Sequence, residues 1–234
     1  MTKFLIVLGS PNANGFGAEI INNIKEKFNE FDKALEFDVL KVSETDYKLC
    51  KGCGQCFITG QCGLVKEDNY NFYDSLIRYK GIIFLVPSYI HQMPAILKNC
   101  FDRMASRMHE FPLLGKKTIV VAYSLSNGEV DLKNYVTGIL GSLGCEIIQS
   151  FSFNKCRDDY DKLTEGLVQA IVKMKQKVEE RKFAVTKSQE QLFLYIKQIV
   201  QMELDNKVKS YKQIRWGQLL EYESLVEYLK TARL

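Results

Sequence analysis

The chain has 234 residues, 46% of them hydrophobic and 26% charged, with a formal net charge of +4; that is room for one substantial domain, or one domain plus an extension. Lys and Arg are mixed with Asp and Glu along the chain, which excludes the clustered basic face of a nucleic-acid binder. The N-terminal "MTKFLIVLGSPN" has an apolar run too short to span a bilayer and no small-residue cleavage site, so neither membrane insertion nor export is expected and a cytoplasmic protein is predicted.

In chain order, "KFLIVLG" (3–9) is a continuous apolar run and predicts a central strand buried on both faces. Residues 18–31 carry Ile20, Ile21, Ile24, Phe28 and Phe31 at helical spacing. "LEFDVLKV" (35–42) alternates and predicts a strand near a sheet edge. Residues 69–79 predict a helix, and "GIIFLVP" (81–87) a second buried strand. Residues 94–108 predict a helix with Pro94 in its first turn, where a missing N–H costs nothing. A strand follows over 116–124, then a helix over 129–144 ended by Gly144, and a fifth strand over 145–153. Beyond it, 160–182, 187–210 and 216–232 all predict helix.

This alternation implies a doubly wound parallel sheet with helices on both faces. The expected architecture is α/β and flavodoxin-like, with strand order 2-1-3-4-5 and ligands bound beyond the carboxyl ends of the strands. The expected division is residues 1–182 for the sheet domain and 183–234 for a C-terminal helical extension. The amphipathic helices of the extension either pack on the sheet domain or across a dimer, or dock another protein.

Three loops should share the rim at those carboxyl ends. "GSPNANGFG" (9–17) supplies Ser10, Asn12 and Asn14 as donors and Gly15 and Gly17 as turn residues, opening into a helix whose N–H groups favour phosphate. The spacing matches neither the dinucleotide fingerprint nor the Walker loop. "PSYIHQMP" (87–94) places Pro87, Ser88, Tyr89, Ile90 and His91 where a planar ring could lie. "YSLSNGE" (123–129) offers Ser124, Ser126, Asn127 and Gly128 as a second edge. No Ser/His/Asp set or carboxylate pair is present, so no catalytic side chain is named.

"GSPNANG" followed by "VPSYIHQMPAILKNCFDR" resembles the NAD(P)H-dependent FMN reductase family of the flavodoxin-like fold. "CKGCGQCFITGQC" followed by "KED" resembles the branch of iron–sulfur flavoproteins. The resemblance covers roughly residues 1–155. It implies FMN, its phosphate on loop 10–17 and its ring against 87–92 and 124–128, and a homodimer or higher homo-oligomer. It also implies NAD(P)H as electron donor. Gly17 stands where relatives usually carry Ser or Thr, and Phe16 is likewise unusual. A hydroxyl contact to the phosphate is then missing, so either affinity falls or the backbone does more of the binding.

The cysteine-rich loop, 45–66, holds Cys50, Cys53, Cys56 and Cys62, with Gly52, Gly54 and Gly60 between them. In a reducing compartment such clusters favour metal or redox roles over structural disulfides. Compact Cys-x2-Cys-x2-Cys spacing suits a [4Fe–4S] cluster. Zinc, which more often takes separated pairs, a thiol–disulfide pair and a loop holding nothing stay open. Cys100 is expected in the core face of a helix and Cys145 at the start of the fifth strand. Cys156 belongs to the far edge of the sheet, four strand spacings or roughly 19 Å from the loop.

The function expected is an FMN-dependent oxidoreductase passing electrons from NAD(P)H to a small-molecule or protein acceptor, with a cluster, if bound, carrying single electrons. Its alternatives are a non-enzymatic flavin electron carrier and a redox sensor, either one docking a partner through the C-terminal helices.

Overall fold

Five parallel strands run in the order β2-β1-β3-β4-β5: β1 (Thr2–Leu8), β2 (Leu35–Lys41), β3 (Gly81–Pro87), β4 (Lys117–Ser124) and β5 (Glu146–Asn154). The structure is a computed structural model and describes residues 2–181 and 183–231, with the backbone alone for Phe31. The helices in chain order are α1 (Phe16–Phe31), α2 (Gln55–Thr59), α3 (Val65–Asp68), α4 (Phe72–Ile77), α5 (Ala95–Asp102), α6 (Glu129–Ser142), α7 (Tyr160–Glu179), α8 (Lys187–Asp205), α9 (Lys212–Leu219) and α10 (Leu225–Thr231). The strand order, the parallel pairing and the C-terminal helices are those the sequence predicts.

Apolar runs in β1, β3 and β4 are buried because each strand is covered on both sides, and all residues of β3 and β4 are buried. Phe4, Ile6 and Leu8 of β1 face α1 and α7, meeting Ile20, Ile24, Phe28, Leu167 and Ile171. The alternate residues Leu5 and Val7, with Phe84 and Val86, face α4, α5 and α6 and meet Leu76, Leu97, Cys100 and Leu132. β2, at the edge, buries only Leu35 fully. The register sets Pro87 beside Tyr123 and Ser124 beside Asn154, so the loops after β3, β4 and β5 leave the sheet at one level.

Several helix limits differ from the periodicity. Helix 69–79 begins only at Phe72, because Asn69 takes a left-handed conformation (φ 50) that ends α3. Helix 94–108 stops at Asp102. Met104 N–H then bonds Phe101 O at 2.9 Å, and the chain tightens into a 3-10 turn over Ala105–His109. The single helix expected over 216–232 is two. Ser224 Oγ accepts the Glu227 N–H at 3.0 Å, and Glu190 accepts the Leu225 N–H at 2.9 Å, starting a new helix. The break lets Trp216, Leu219 and Leu225 share one cluster with Phe193, Ile196 and Val200, where one straight helix would turn some of them outward. The signal was in the sequence: Ser224 and Glu227 form an S-x-x-E start signature.

The extension is fastened to the sheet domain. Phe111 joins its cluster, Trp216 Nε1 donates to His109 O at 2.6 Å, and Gln189 Nε2 donates to Cys145 O at 2.9 Å. The expected division after residue 182 falls on Lys182, which lies outside the described residues. Among the described residues no helix is long and apolar enough to cross a membrane.

Candidate functional site

Beyond the carboxyl ends of β1, β3 and β4 lies a cavity of about 470 Å³, within the size range of small-molecule sites. Each of the three predicted loops contributes a wall. Ser10, Asn12, Gly15 and Phe16 come from the first; Pro87, Ser88, Tyr89 and Ile90 from the second; Ser124, Ser126 and Asn127 from the third. Asn14, Gly17, His91 and Gly128 do not line it. Tyr123, Leu125 and Lys155 line it and were not singled out from the sequence.

The first loop is shaped by its own side chains. Ser10 Oγ accepts the Asn12 N–H and Asn12 Oδ1 accepts the Asn14 N–H, both at 3.0 Å. Gly15 is the N-cap of α1 and provides no side-chain cap. The Phe16 N–H at the start of α1 is thereby left for an anionic ligand, with the helix dipole behind it, while the Gly17 N–H faces the Tyr123 oxygen.

The second loop closes on itself at Tyr89 and Gln92, which exchange N–H···O bonds of 2.9 and 3.1 Å. Its two tip residues, Ile90 (φ 51) and His91 (φ 62), are both left-handed. That conformation is ordinarily filled by Asn-Gly and costs about 1–3 kcal/mol at each residue of another kind. Ile90 is 95% exposed, at the mouth of the cavity. His91 turns away and pairs through Nδ1 with Asp131 Oδ2 at 2.7 Å. Ser88 lines the cavity, but its Oγ is buried against Gly128 with no hydrogen-bond partner.

The third loop is held by a network beneath it. Ser124 Oγ donates to Glu129 Oε2 at 2.6 Å, Arg157 Nη2 donates to Glu129 Oε1 at 2.8 Å, and Asn154 Nδ2 donates to Ser126 O at 2.7 Å. Burial pushes the Glu129 carboxyl up, but Ser124 and Arg157 outweigh it and hold the group below its ordinary value, so it stays an anion. Lys155 arrives here because its N–H bonds Ser124 O at 2.8 Å, which brings the end of β5 to the rim. Sequence reading assigned that end to a distant edge strand and passed over the lysine. Tyr123 was passed over as strand interior.

Thus an uncapped helix end, small polar loop residues and a half-exposed tyrosine face meet around one cavity. This is a fit for an anionic, aromatic cofactor: phosphate at α1 and ring between the loops that follow β3 and β4.

The cysteine loop sits on the same side of the sheet, after β2. Gly52, Gly54 and Gly60 are left-handed (φ 63, 72 and 75), and the last two bound α2. The loop is tied down by the α5 end. Asn99 Oδ1 accepts the Cys50 N–H at 2.9 Å, and Arg103 pairs with Asp68 and donates to Lys48 O at 3.2 Å. The Arg103 and Asp68 side chains are 0% and 1% exposed. Cys56 and Cys62 border a cavity of about 290 Å³ together with Arg103. Cys50 and Cys53 are exposed.

All four are free thiols, right in kind and number for a cluster. Their placement does not fit one: among the described residues, no three Cys, His, Asp or Glu side chains stand together as ligands of one metal ion. Of the remaining cysteines, Cys100 and Cys145 are buried as expected and Cys156 is exposed.

The C-terminal helices reach this loop. Tyr211 N–H donates to Phe57 O at 3.2 Å, and the Tyr211 ring lies against Gly60, where no side chain would fit. Replacing Tyr211 with Ala is expected to loosen α2 and speed alkylation of Cys56 and Cys62 about tenfold. Cys100 and Cys145 should stay unreactive, as a check that the fold is intact. Peptide mapping of alkylated thiols over time measures this, and an unchanged rate would remove the extension's role in ordering the loop.

The family model described as NADPH-dependent FMN reductase matches residues 2–158. The chain is similar to an iron–sulfur flavoprotein of Clostridioides difficile (strain 630), 25% identical over 218 residues that cover 90% of this chain and 96% of that one. It is also similar to an iron–sulfur flavoprotein of Methanosarcina thermophila, 31% identical over 115 residues, 49% of this chain and 59% of that one. Among solved structures, the flavoenzyme NAD(P)H:(acceptor) oxidoreductase FerB of Paracoccus denitrificans superposes with a TM-score of 0.56 at 15% identity, covering 76% of this chain and 98% of that one. At that identity the likeness shows the fold alone.

Proposed function

The chain belongs to the NADPH-dependent FMN reductase family, and from that premise we infer that this oxidoreductase takes electrons from NAD(P)H and delivers them to a small-molecule or protein acceptor through FMN. The observation that carries the reading is the rim cavity, walled by the three loops after β1, β3 and β4, with an uncapped α1 at one side and the exposed Tyr89 at another. FMN, when bound, supplies the hydride and electron chemistry, and the protein supplies position and electrostatics.

The Phe16 N–H at the start of α1 would hold the phosphate. Tyr89 and Pro87 would bound the ring on one side and the backbone of 124–127 on the other. Glu129 would keep that second wall in place through Ser124. Exposed Ile90 and Leu125 border the mouth, where a nicotinamide could approach. The family resemblance carries a homodimer or higher oligomer into the same reading, and a cytoplasmic location is proposed with it.

Anaerobic addition of NADH or NADPH to the FMN-loaded protein tests the donor. Bleaching of the flavin band is expected with NADPH. A band that responds only to a reduced protein donor would favour the electron carrier instead.

The relatives named iron–sulfur flavoproteins raise a cluster for Cys50, Cys53, Cys56 and Cys62. In the described conformation these thiols stand apart, so cluster binding would require Cys50 and Cys53 to fold inward from solvent. Iron and sulfide analysis after anaerobic purification decides it: about four irons per chain would support a [4Fe–4S] centre, and none would leave a cluster-free loop.

A further inference from the structure

A side chain at position 17 would displace its neighbours from β1 and β4. A Cβ on Gly17 would meet Leu8 Cδ1 and would fall 2.6 Å from the Tyr123 hydroxyl. Tyr123 is 7% exposed, comes from β4, and lays its oxygen where a side chain from α1 would otherwise stand. The Ser10 hydroxyl and the Gly17 N–H both face that oxygen. A phenol oxygen can accept the Gly17 N–H and still donate its own proton to an anion in the cavity. Burial pushes its pKa well above the ordinary tyrosine value, so it remains a donor at neutral pH.

Lys155 stands at the same end. Its Nζ lies 4.6 Å from the centroid of the Phe16 ring and 3.5 Å from Glu19 Oε2, in the first turn of α1. Phe16 in turn packs on Tyr123, Phe153 and Tyr160 with centroids 5.4 to 5.5 Å apart. The unusual aromatic at position 16 therefore serves as a platform for a lysine ammonium beside the uncapped helix end.

We propose that Tyr123 and Lys155 are the phosphate-selecting residues of this chain, a buried hydroxyl and an exposed cation replacing the side-chain contact that Gly17 does not make. This rests on the FMN reading above and goes further, because it assigns the discrimination between the phosphorylated flavin and riboflavin to two named side chains. Lys155 also neutralises Glu19, the carboxylate nearest it, which would otherwise repel the phosphate.

The test is titration of the apo-protein with FMN and with riboflavin, followed by quenching of flavin fluorescence. Wild type should bind FMN more tightly than riboflavin. Lys155→Met and Tyr123→Phe should each lower the FMN-to-riboflavin preference about tenfold, as expected for one charge-assisted contact, with riboflavin affinity changed far less than FMN affinity. Lys155 is exposed and Tyr123→Phe keeps the ring, so both variants should fold; thermal melting checks this. Added salt should shrink the preference in wild type and far less in Lys155→Met. Failure of wild type to bind either flavin would defeat the FMN reading itself. Binding with an undiminished preference in either variant would overturn the pair.

Discussion

Gly128→Val should weaken FMN binding about 100-fold while leaving most of the fold intact. Gly128 caps α6 with φ 86, a conformation that strains any residue bearing a Cβ. The added Cβ would also fall 2.5 Å from Ser88 Oγ and 2.9 Å from His91 Cα. His91 Cα is backbone, in a turn already held left-handed at two residues, so it has little freedom to retreat. Relief comes by parting the loops after β3 and β4, which are two walls of the cavity. Drawing the displaced wall back around the flavin is expected to cost about 3 kcal/mol, or about two powers of ten in affinity. Gly138→Ala is the contrast. It lies within α6 with nothing inside 4 Å of the new Cβ, so it should leave affinity unchanged and add about 0.5–1 kcal/mol of stability. Flavin titration and thermal melting of the two variants measure both effects.

Arg103→Leu should cost about 3–5 kcal/mol, the loss seen when one partner of a buried ion pair is removed. The guanidinium pairs with Asp68, donates to Lys48 O at 3.2 Å and lies 4.2 Å from the centre of the Tyr70 ring. Without it, Asp68 is left charged and buried, and the strap that holds residues 48–70 against α5 is cut. Asp68→Asn combined with Arg103→Leu should be less damaging than Arg103→Leu alone, since no lone charge remains.

The pair also predicts an acid limb. Burial pushes the Asp68 carboxyl up, but Arg103 and the Lys48 and Tyr70 N–H groups overcome it and hold the carboxyl below its ordinary value. A group with a depressed folded pKa stabilises the fold fully above its unfolded pKa, about 3.9 for Asp, and loses that contribution as pH falls through the folded value. Wild type should therefore lose stability between about pH 5 and pH 2. In Arg103→Leu this depression is removed, and the contribution of Asp68 to the slope should vanish or reverse. Urea unfolding across that range is the measurement.

The sheet was legible because buried strands have little choice of composition. KFLIVLG, GIIFLVP and KKTIVVAYS are apolar on both faces, and only a doubly covered parallel sheet wants that. The three rim loops were legible for a related reason: Gly, Pro and small polar residues cluster where strands hand over to helices. What escaped was set by the third dimension. Lys155 reads as a residue past an edge strand, and only its N–H bond to Ser124 O brings it to the cavity. Tyr123 reads as one more apolar strand position, although its hydroxyl fills the space a side chain at position 17 would take.

Arg103 and Asn99 belong to the stretch that signalled the family, yet in the structure they fasten the cysteine loop. Spacing along the loop suggested ligands for one metal centre, but spacing does not specify which thiols turn inward. The helix break at 220–224 escaped because amphipathic spacing continued across it, while the cap at Ser224 decided the outcome.

The account rests on a flavin seated among the loops after β1, β3 and β4. Hydrogen–deuterium exchange of the apo-protein with and without FMN tests this most directly. It should slow exchange in peptides covering 9–17, 87–92 and 123–128, and leave 55–62 and 212–219 unchanged. Protection confined to the cysteine loop or to the C-terminal helices, with the three rim loops unaffected, would contradict it.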